Sequence, residues 1–350
     1  MKNIALLLLL TLLSLGELSA TDPQRTFYSY KKSDLNALTN LQSKETLSAQ
    51  ELKKWDLFAQ NVIDKLGLGY DHRTLFFTYL YAAQRDAVFL SYEANECFVG
   101  SFDPISAKIF LLFFPNEPLP KNLKKDAYSE KLALIIGQKY AARYESERNL
   151  PATQWQLWGI VSQELKIDPP PPPSSPIWKK ELQSVIDAQD KISAKEKEAI
   201  HFWSHKGEDS SLGDWRIITN DYLFELLEPL PKMTLVRSLV TMAIIDSIIV
   251  TKQAKKAYEN KRPYQESDQV RLLTNPQDTS SYPSTHATIA TAVADILSTF
   301  FPEDTKRWEE FAVTGSLSRI WAGVHYPIDK RAGEKIGCQI GEQLLESLNN

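Results

Sequence analysis

The stretch Ser318-Arg319-Ile320-Trp321-Ala322-Gly323-Val324-His325-Tyr326-Pro327-Ile328-Asp329 sets a permanently charged guanidinium, an imidazole and a carboxylate close together in the chain. An Arg beside a His suits a tetrahedral oxyanion, which the guanidinium can grip with two parallel hydrogen bonds. Asp329 follows His325 by four positions. If the chain turns into a helix after Pro327, the carboxylate can accept the other ring N–H of His325. That bond fixes the tautomer and makes the imidazole a better nucleophile. Taken alone, the same residues also read as an ordinary His-Asp pair at the start of a helix.

Two further clusters lie upstream. Ser280-Ser281-Tyr282-Pro283-Ser284-Thr285-His286 precedes the apolar run Ile289 to Phe301. Proline and small polar residues suit a tight turn that feeds a helix N-terminus, where backbone N–H groups and the helix dipole favour an anion. Ser284 adds a hydroxyl and His286 a group able to give or take a proton; alone, they read as a helix cap and a surface histidine. Further upstream, Lys255 and Arg262 stand seven residues apart, close to two helical turns, so both cations can face one way. Pro263 biases Arg262 out of helical geometry and puts it at a helix end. In isolation, Lys252, Lys255, Lys256 and Lys261 are a solvated basic face.

The rest of the pattern is helical. Ser48 with Glu51, and Ser193 with Glu196, have the spacing of capping boxes. Apolar positions then recur every three or four residues, and further helical stretches are expected over 75–92, 132–144, 179–188, 234–258, 287–301, 306–322 and 330–348. No run alternates convincingly as a strand, and 13 glycines are few for a turn-rich β fold. The expected fold is an all-α helical bundle with its chemistry-bearing helices in the C-terminal half. Asp86 to Ala94 and Asp246 to Ala254 share an acid, apolar residues and a final alanine. Two related bundles would explain this echo; coincidence between amphipathic helices explains it as simply.

The expected organisation has four parts. Residues 1–20 read as a signal peptide: Lys2, an apolar core from Ile4 to Leu15, and the small-residue site Leu18-Ser19-Ala20. Residues 21–168 form an N-terminal helical region. Residues 169–176, with prolines from Pro169 to Pro173, form an extended linker. Residues 177–350 form the catalytic domain. Met242 to Val250 is interrupted by Asp246, so no transmembrane anchor is expected after leader cleavage, and the mature protein is expected in the periplasm or outside the cell. Export would permit a disulfide between Cys97 and Cys338; two free thiols fit equally. The formal charge of -4, without a Lys/Arg block, argues against a nucleic-acid partner.

In order, the three clusters read Lys-x6-Arg-Pro, Pro-Ser-x-His and Ser-Arg-x5-His-x3-Asp. This set resembles the type 2 phosphatidic acid phosphatase and vanadium haloperoxidase superfamily, and the resemblance covers the C-terminal half. It implies that Lys255, Arg262, Arg319, Ser284 and the backbone N–H of Thr285 hold the oxyanion. It implies that His325 attacks phosphorus, that His286 protonates the leaving oxygen and then activates water, and that Asp329 orients His325. The family often has glycine where Thr285 stands, which leaves the part played by that position open.

The resemblance implies an exported phosphatase that acts on a small phosphomonoester through a phosphohistidine and needs no metal or cofactor. The alternative is a haloperoxidase that uses the same residues for vanadate, with His325 as vanadium ligand. Asp246 and Tyr258 around Lys255, and Phe202-Trp203 with Gly207 and Trp215, resemble the haloperoxidase-like branch. A third possibility is an inactive phosphate-binding or interaction protein. His201 and His205 have the spacing of two metal ligands on one helix face, but no third ligand is apparent and a surface pair is expected.

Overall fold

The computed structural model describes residues 28–159, 165–172, 174–204 and 214–348. It is 69% helical, with 13 α-helices and no strands among the described residues, so the chain is an all-α bundle. An isolated bridge joins Thr46 and Val99. The signal-peptide reading falls on residues outside the described ones.

The chain forms two compact units. The first runs to Leu150 and includes Thr219–Thr241; the second comprises Pro151–Ile218 and the chain from Met242 onward. The described part of the proline segment lies in the second unit. There it is non-helical, as the missing N–H groups and fixed φ of proline require. Trp178 Nε1 donates to Pro171 O at 2.8 Å, and Tyr282 Oη donates to Asp168 O at 2.6 Å.

The first unit holds α1 (Lys32–Thr39), α2 (Ala49–Leu66), α3 (Tyr70–Asn95), α4 (Asp103–Phe113) and α5 (Ala127–Glu147). Ser48 caps α2 by accepting the Glu51 N–H. The expected return bond from Glu51 is not made there. Its carboxylate instead accepts Phe102 N at 2.9 Å and Ser101 Oγ at 3.2 Å, so a tertiary contact displaces the local one. α4 lies outside the helical stretches expected from the sequence. Its first residue, Asp103, accepts Trp55 Nε1 at 2.8 Å and forms an ion pair with Lys54.

Of the remaining helices, α6 (Pro176–Asp190) and α7 (Ala194–Trp203) lie in the second unit. α8 (Asp214–Glu225) and α9 (Leu230–Ala257) each give residues to both units. α10 (Pro263–Glu266), α11 (Thr285–Phe300), α12 (Thr305–Trp321) and α13 (Pro327–Glu346) complete the second unit. The capping box expected at Ser193 and Glu196 opens α7 in full. α9 is long and apolar enough to cross a membrane, although Asp246 interrupts its apolar run. Its most apolar window is wholly buried in the protein, which accounts for its hydropathy as core.

α11 packs against both α12 and α13. On the α13 face, Gly333 and Gly337 permit a close approach. A Cβ at Gly333 would fall 2.5 Å from Ser284 O, and one at Gly337 the same distance from Thr288 O. Two helices that carry separate sequence clusters are thereby drawn together.

Candidate active site

His325 sits between two helices because of how α12 ends. Gly323 takes φ +78, and a Cβ there would lie 2.5 Å from Arg271 O, so a side chain is excluded on both counts. The chain then reverses, and Pro327 opens α13. Four residues on from His325, the buried Asp329 carboxylate sits 3.0 Å from His325 Nδ1 and also accepts Tyr326 N at 2.9 Å. Glu181 on α6 secures the same corner. It accepts Ile328 N at 2.7 Å and pairs with Arg331 at 2.6 Å.

The tautomer follows from the partners. Arg262 Nη1 lies 3.4 Å from His325 Nε2, and a guanidinium can only donate. Nε2 therefore accepts, and Nδ1 carries the proton that it donates to Asp329. This leaves the Nε2 lone pair facing the cations.

Arg262 caps the short α10, as the Pro263 constraint suggests. Its side chain is held almost entirely by backbone oxygens. Nε donates to Thr279 O at 2.8 Å, Nη1 to Val324 O at 2.8 Å, and Nη2 to Ser280 O at 3.2 Å. Lys255, at the end of α9, donates to Ser280 O at 2.6 Å and Ser281 O at 3.1 Å. The 279–281 segment thus fixes two cations through carbonyls, which carry no residue identity and left no mark in the sequence.

Ser284 is the N-cap of α11 and accepts Ala287 N at 3.3 Å, while its own N–H donates to Asp329 O at 3.0 Å. The cap and the proximity to the Asp329 corner therefore coexist. The Thr285 hydroxyl pairs with Thr251 Oγ1 at 2.9 Å, turned toward α9. His286 follows in the first turn of α11 and is partly open to solvent. Arg319, on the last turn of α12, is buried. Its Nη1 donates to Ser204 Oγ at 2.6 Å, whereas its Nε has no hydrogen-bond partner.

Electrostatics tie these groups into one field. His325 is held well below the usual imidazole range by burial, then by Arg262, Lys255, His286 and Arg319. His286 is lowered by burial, then by Arg319, Arg262 and Lys255. Burial and Arg262 push Arg319 down to about 9; burial pushes Arg262 down to about 10 against the pull of Asp329 and Tyr264. Lys255 is lowered by burial and Arg262, with Asp329 opposing. Burial raises Asp329, against the Tyr326 N–H, Lys255 and Arg262. Burial lowers all three cations, and Arg262 lowers the other two further, which leaves a site short of negative charge.

Other singled-out residues have structural partners. Asp246 accepts Trp158 N and Gly159 N, both at 2.7 Å, and so clamps the entry to the second unit. The Tyr258 carbonyl accepts Ser280 Oγ, and the Trp203 and Trp215 rings stand 5.5 Å apart. His201 is exposed on α7. His205 and Gly207 lie outside the described residues. Cys97 and Cys338 are free thiols.

Comparison with known proteins places the fold. Residues 234–341 match the model of the PAP2 superfamily, so this C-terminal segment is similar to that superfamily. A curated relative, the bacitracin transport permease protein BcrC of Bacillus licheniformis, is 28% identical over 111 residues. That match covers 31% of this chain and 55% of the relative, so the chain spans about half of the relative's length. Among solved structures, a bacterial vanadium-dependent iodoperoxidase superposes with a TM-score of 0.63 at 16% identity, over 85% of this chain and 96% of that one. An apo-type bacterial vanadium-dependent chloroperoxidase gives a TM-score of 0.52 at 12% identity, over 77% and 83%. At these identities the likeness is one of fold.

Proposed function

We propose that this protein is a phosphohydrolase that cleaves small phosphomonoesters through a phosphohistidine. The observation that carries this reading is a buried His325 whose Nε2 accepts from Arg262 Nη1, whose other nitrogen is bound to Asp329, and which lies in the field of Lys255 and Arg319. Phosphoryl transfer asks little covalent chemistry of a protein beyond positioning and charge stabilisation, and that is what this set supplies.

In the proposed first step, His325 Nε2 bonds to phosphorus as the phosphorus–oxygen bond to the leaving group breaks. His286 gives its proton to the departing oxygen. In the second step, His286 takes a proton from water, whose oxygen attacks phosphorus, and the phosphorus–nitrogen bond breaks to release phosphate. His286 ends protonated and His325 neutral, ready for the next cycle. Lys255, Arg262, Arg319, Ser284 and the Thr285 N–H hold the non-reacting oxygens. A bound dianion offsets the three cations that depress His286, so substrate itself favours the protonated acid.

The test is hydrolysis of an aryl phosphate by the purified protein, with vanadate as a competitive inhibitor. Activity that survives His325→Ala undiminished removes the nucleophile from the proposal.

A second reading is a vanadate-dependent haloperoxidase, favoured by the fold likeness to an iodoperoxidase over 85% of the chain. The residues fit vanadate as they fit phosphate, because the charge deficit and the unpaired Arg319 Nε serve any tetrahedral oxyanion. Lys255, Arg262, Arg319 and Ser284 would hold its oxygens, and His325 would face the metal; vanadate would supply peroxide activation. Halogenation of a reporter dye with vanadate, peroxide and halide, above a vanadate-free control, selects this reading. We also propose export, supported by the leader pattern of residues 1–20; N-terminal sequencing of the mature protein should begin after Ala20.

A further inference from the structure

Arg262 and Arg319 are both buried, yet they are held differently. Backbone carbonyls engage all three nitrogens of the Arg262 guanidinium. Arg319 is held by a side chain from another helix: Ser204 Oγ, 2.6 Å from Nη1. Its Nε stays buried without a partner, a costly arrangement unless a ligand completes it.

Ser204 is the C-cap of α7, and the preceding residue explains how it gets there. Trp203 is buried, and its indole lies over Gly315 of α12; a Cβ at Gly315 would meet Cε2 at 3.1 Å and Cδ2 at 3.2 Å. Phe311, one turn earlier on α12, meets the same indole edge-on, 6.2 Å from Trp203 between ring centres. Gly315 and Arg319 are four residues apart, hence on one face of α12. The helix surface that receives Trp203 is therefore the surface from which Arg319 projects.

We propose that Ser204 is a positioning residue of the oxyanion site: docked by the Trp203–Gly315 contact, its hydroxyl holds one arm of Arg319 and aims the unpaired Nε–H at the anion. The inference rests on the oxyanion reading of the site. A neutral partner suits this task, because it orients the guanidinium without supplying a counter-charge that would compete with the ligand. The end of α7 thereby joins the site, although it lies more than a hundred residues before Arg319 in sequence and outside the three clusters that carry the oxyanion reading.

The test is calorimetric titration of the full-length protein with vanadate and, separately, inorganic phosphate. Loss of a hydrogen bond to a charged group predicts that Ser204→Ala raises the vanadate Kd by about tenfold. The phosphate Kd should rise in the same direction. Ser204→Thr, which keeps the hydroxyl, should restore binding to near the wild-type value. Gly315→Ala crowds the Trp203 indole without touching Ser204, so it should weaken vanadate binding in the same direction and keep a cooperative thermal transition. Equal vanadate affinity in wild type, Ser204→Ala and Gly315→Ala overturns the inference and leaves the oxyanion reading intact. A wild type that binds neither anion overturns both.

Discussion

Two buried arginines, one in each unit, face opposite electrostatic conditions. In the first unit, Arg237 reaches both oxygens of Asp56, at 2.6 and 2.5 Å, and stacks over Tyr81 at 3.8 Å; these partners outweigh burial and raise its pKa. Arg143, paired with Glu147, is raised as well. In the second unit, Arg319 has a serine for a partner and other cations for neighbours, and is pushed down to about 9. Arg85 is the exception in the first unit, lowered by burial despite Asp86. The contrast is between a buried charge that brings its own counter-ion and one that does not; on the proposed function, the second is the charge that takes the anion.

The largest break in this comparison is removal of the nucleophile. His325→Ala should lower turnover by about 10⁴-fold or more and leave the thermal transition in place, measured by aryl phosphate hydrolysis and calorimetry. Next come the charges themselves. Asp56→Asn leaves Arg237 buried without its anion and should cost about 3–5 kcal/mol, read from denaturant midpoints. Arg319→Leu removes a buried charge that has no counter-ion, so it should leave the ligand-free protein no less stable. Saturating vanadate at about 100 Kd should stabilise the wild type by about 2.7 kcal/mol and that variant by close to nothing. A variant that loses stability as Asp56→Asn does would erase the distinction between the two arginines.

The pH profile gives a third measure. The proposed acid role needs His286 protonated, and burial with three cations lowers its pKa in the free protein. The kcat/KM limb should therefore fall as pH rises from the acidic side, below the ordinary histidine range. The kcat limb should lie at higher pH, because the bound anion offsets those cations. Coincident limbs would show that the substrate carries no charge into this field.

The smallest effect concerns Asp295 on α11, which burial raises to about 6 against the Cys338 contact. Its folded pKa lies above its unfolded value. The protonated form is thus favoured by folding, and the penalty for ionisation is felt above about pH 6 and relieved as pH falls toward 4. Asp295→Asn should stabilise the protein by about 1 kcal/mol at neutral pH, after discount for its partial exposure, and have no advantage at pH 4.

The helical class, the Ser193 cap and the i,i+4 relation of His325 and Asp329 were legible in the chain, since each depends on residues within one or two turns. The Glu51 cap shows where such reasoning stops. Its spacing to Ser48 suits a capping box, but Phe102 N, fifty-one residues away, takes the carboxylate. Ser204 and the carbonyls of Thr279 and Ser280 were invisible for the same reason. A lone serine or a peptide oxygen carries no spacing signature until the chain folds back on it. Gly333 and Gly337 were not singled out in the chain, because their role is the close approach to α11, which exists only once the helices pack.

The sequence by itself determined the candidate set: three cations, two histidines, a hydroxyl and a carboxylate, in an order that resembles an oxyanion-binding superfamily. It did so because local spacing and residue chemistry survive without a fold. Only the tertiary structure decided which cation keeps an N–H without a partner, which nitrogen of His325 faces Arg262, and that the end of α7 holds Arg319. Those outcomes depend on distances between elements remote in sequence and on burial, and both arise only when the helices pack.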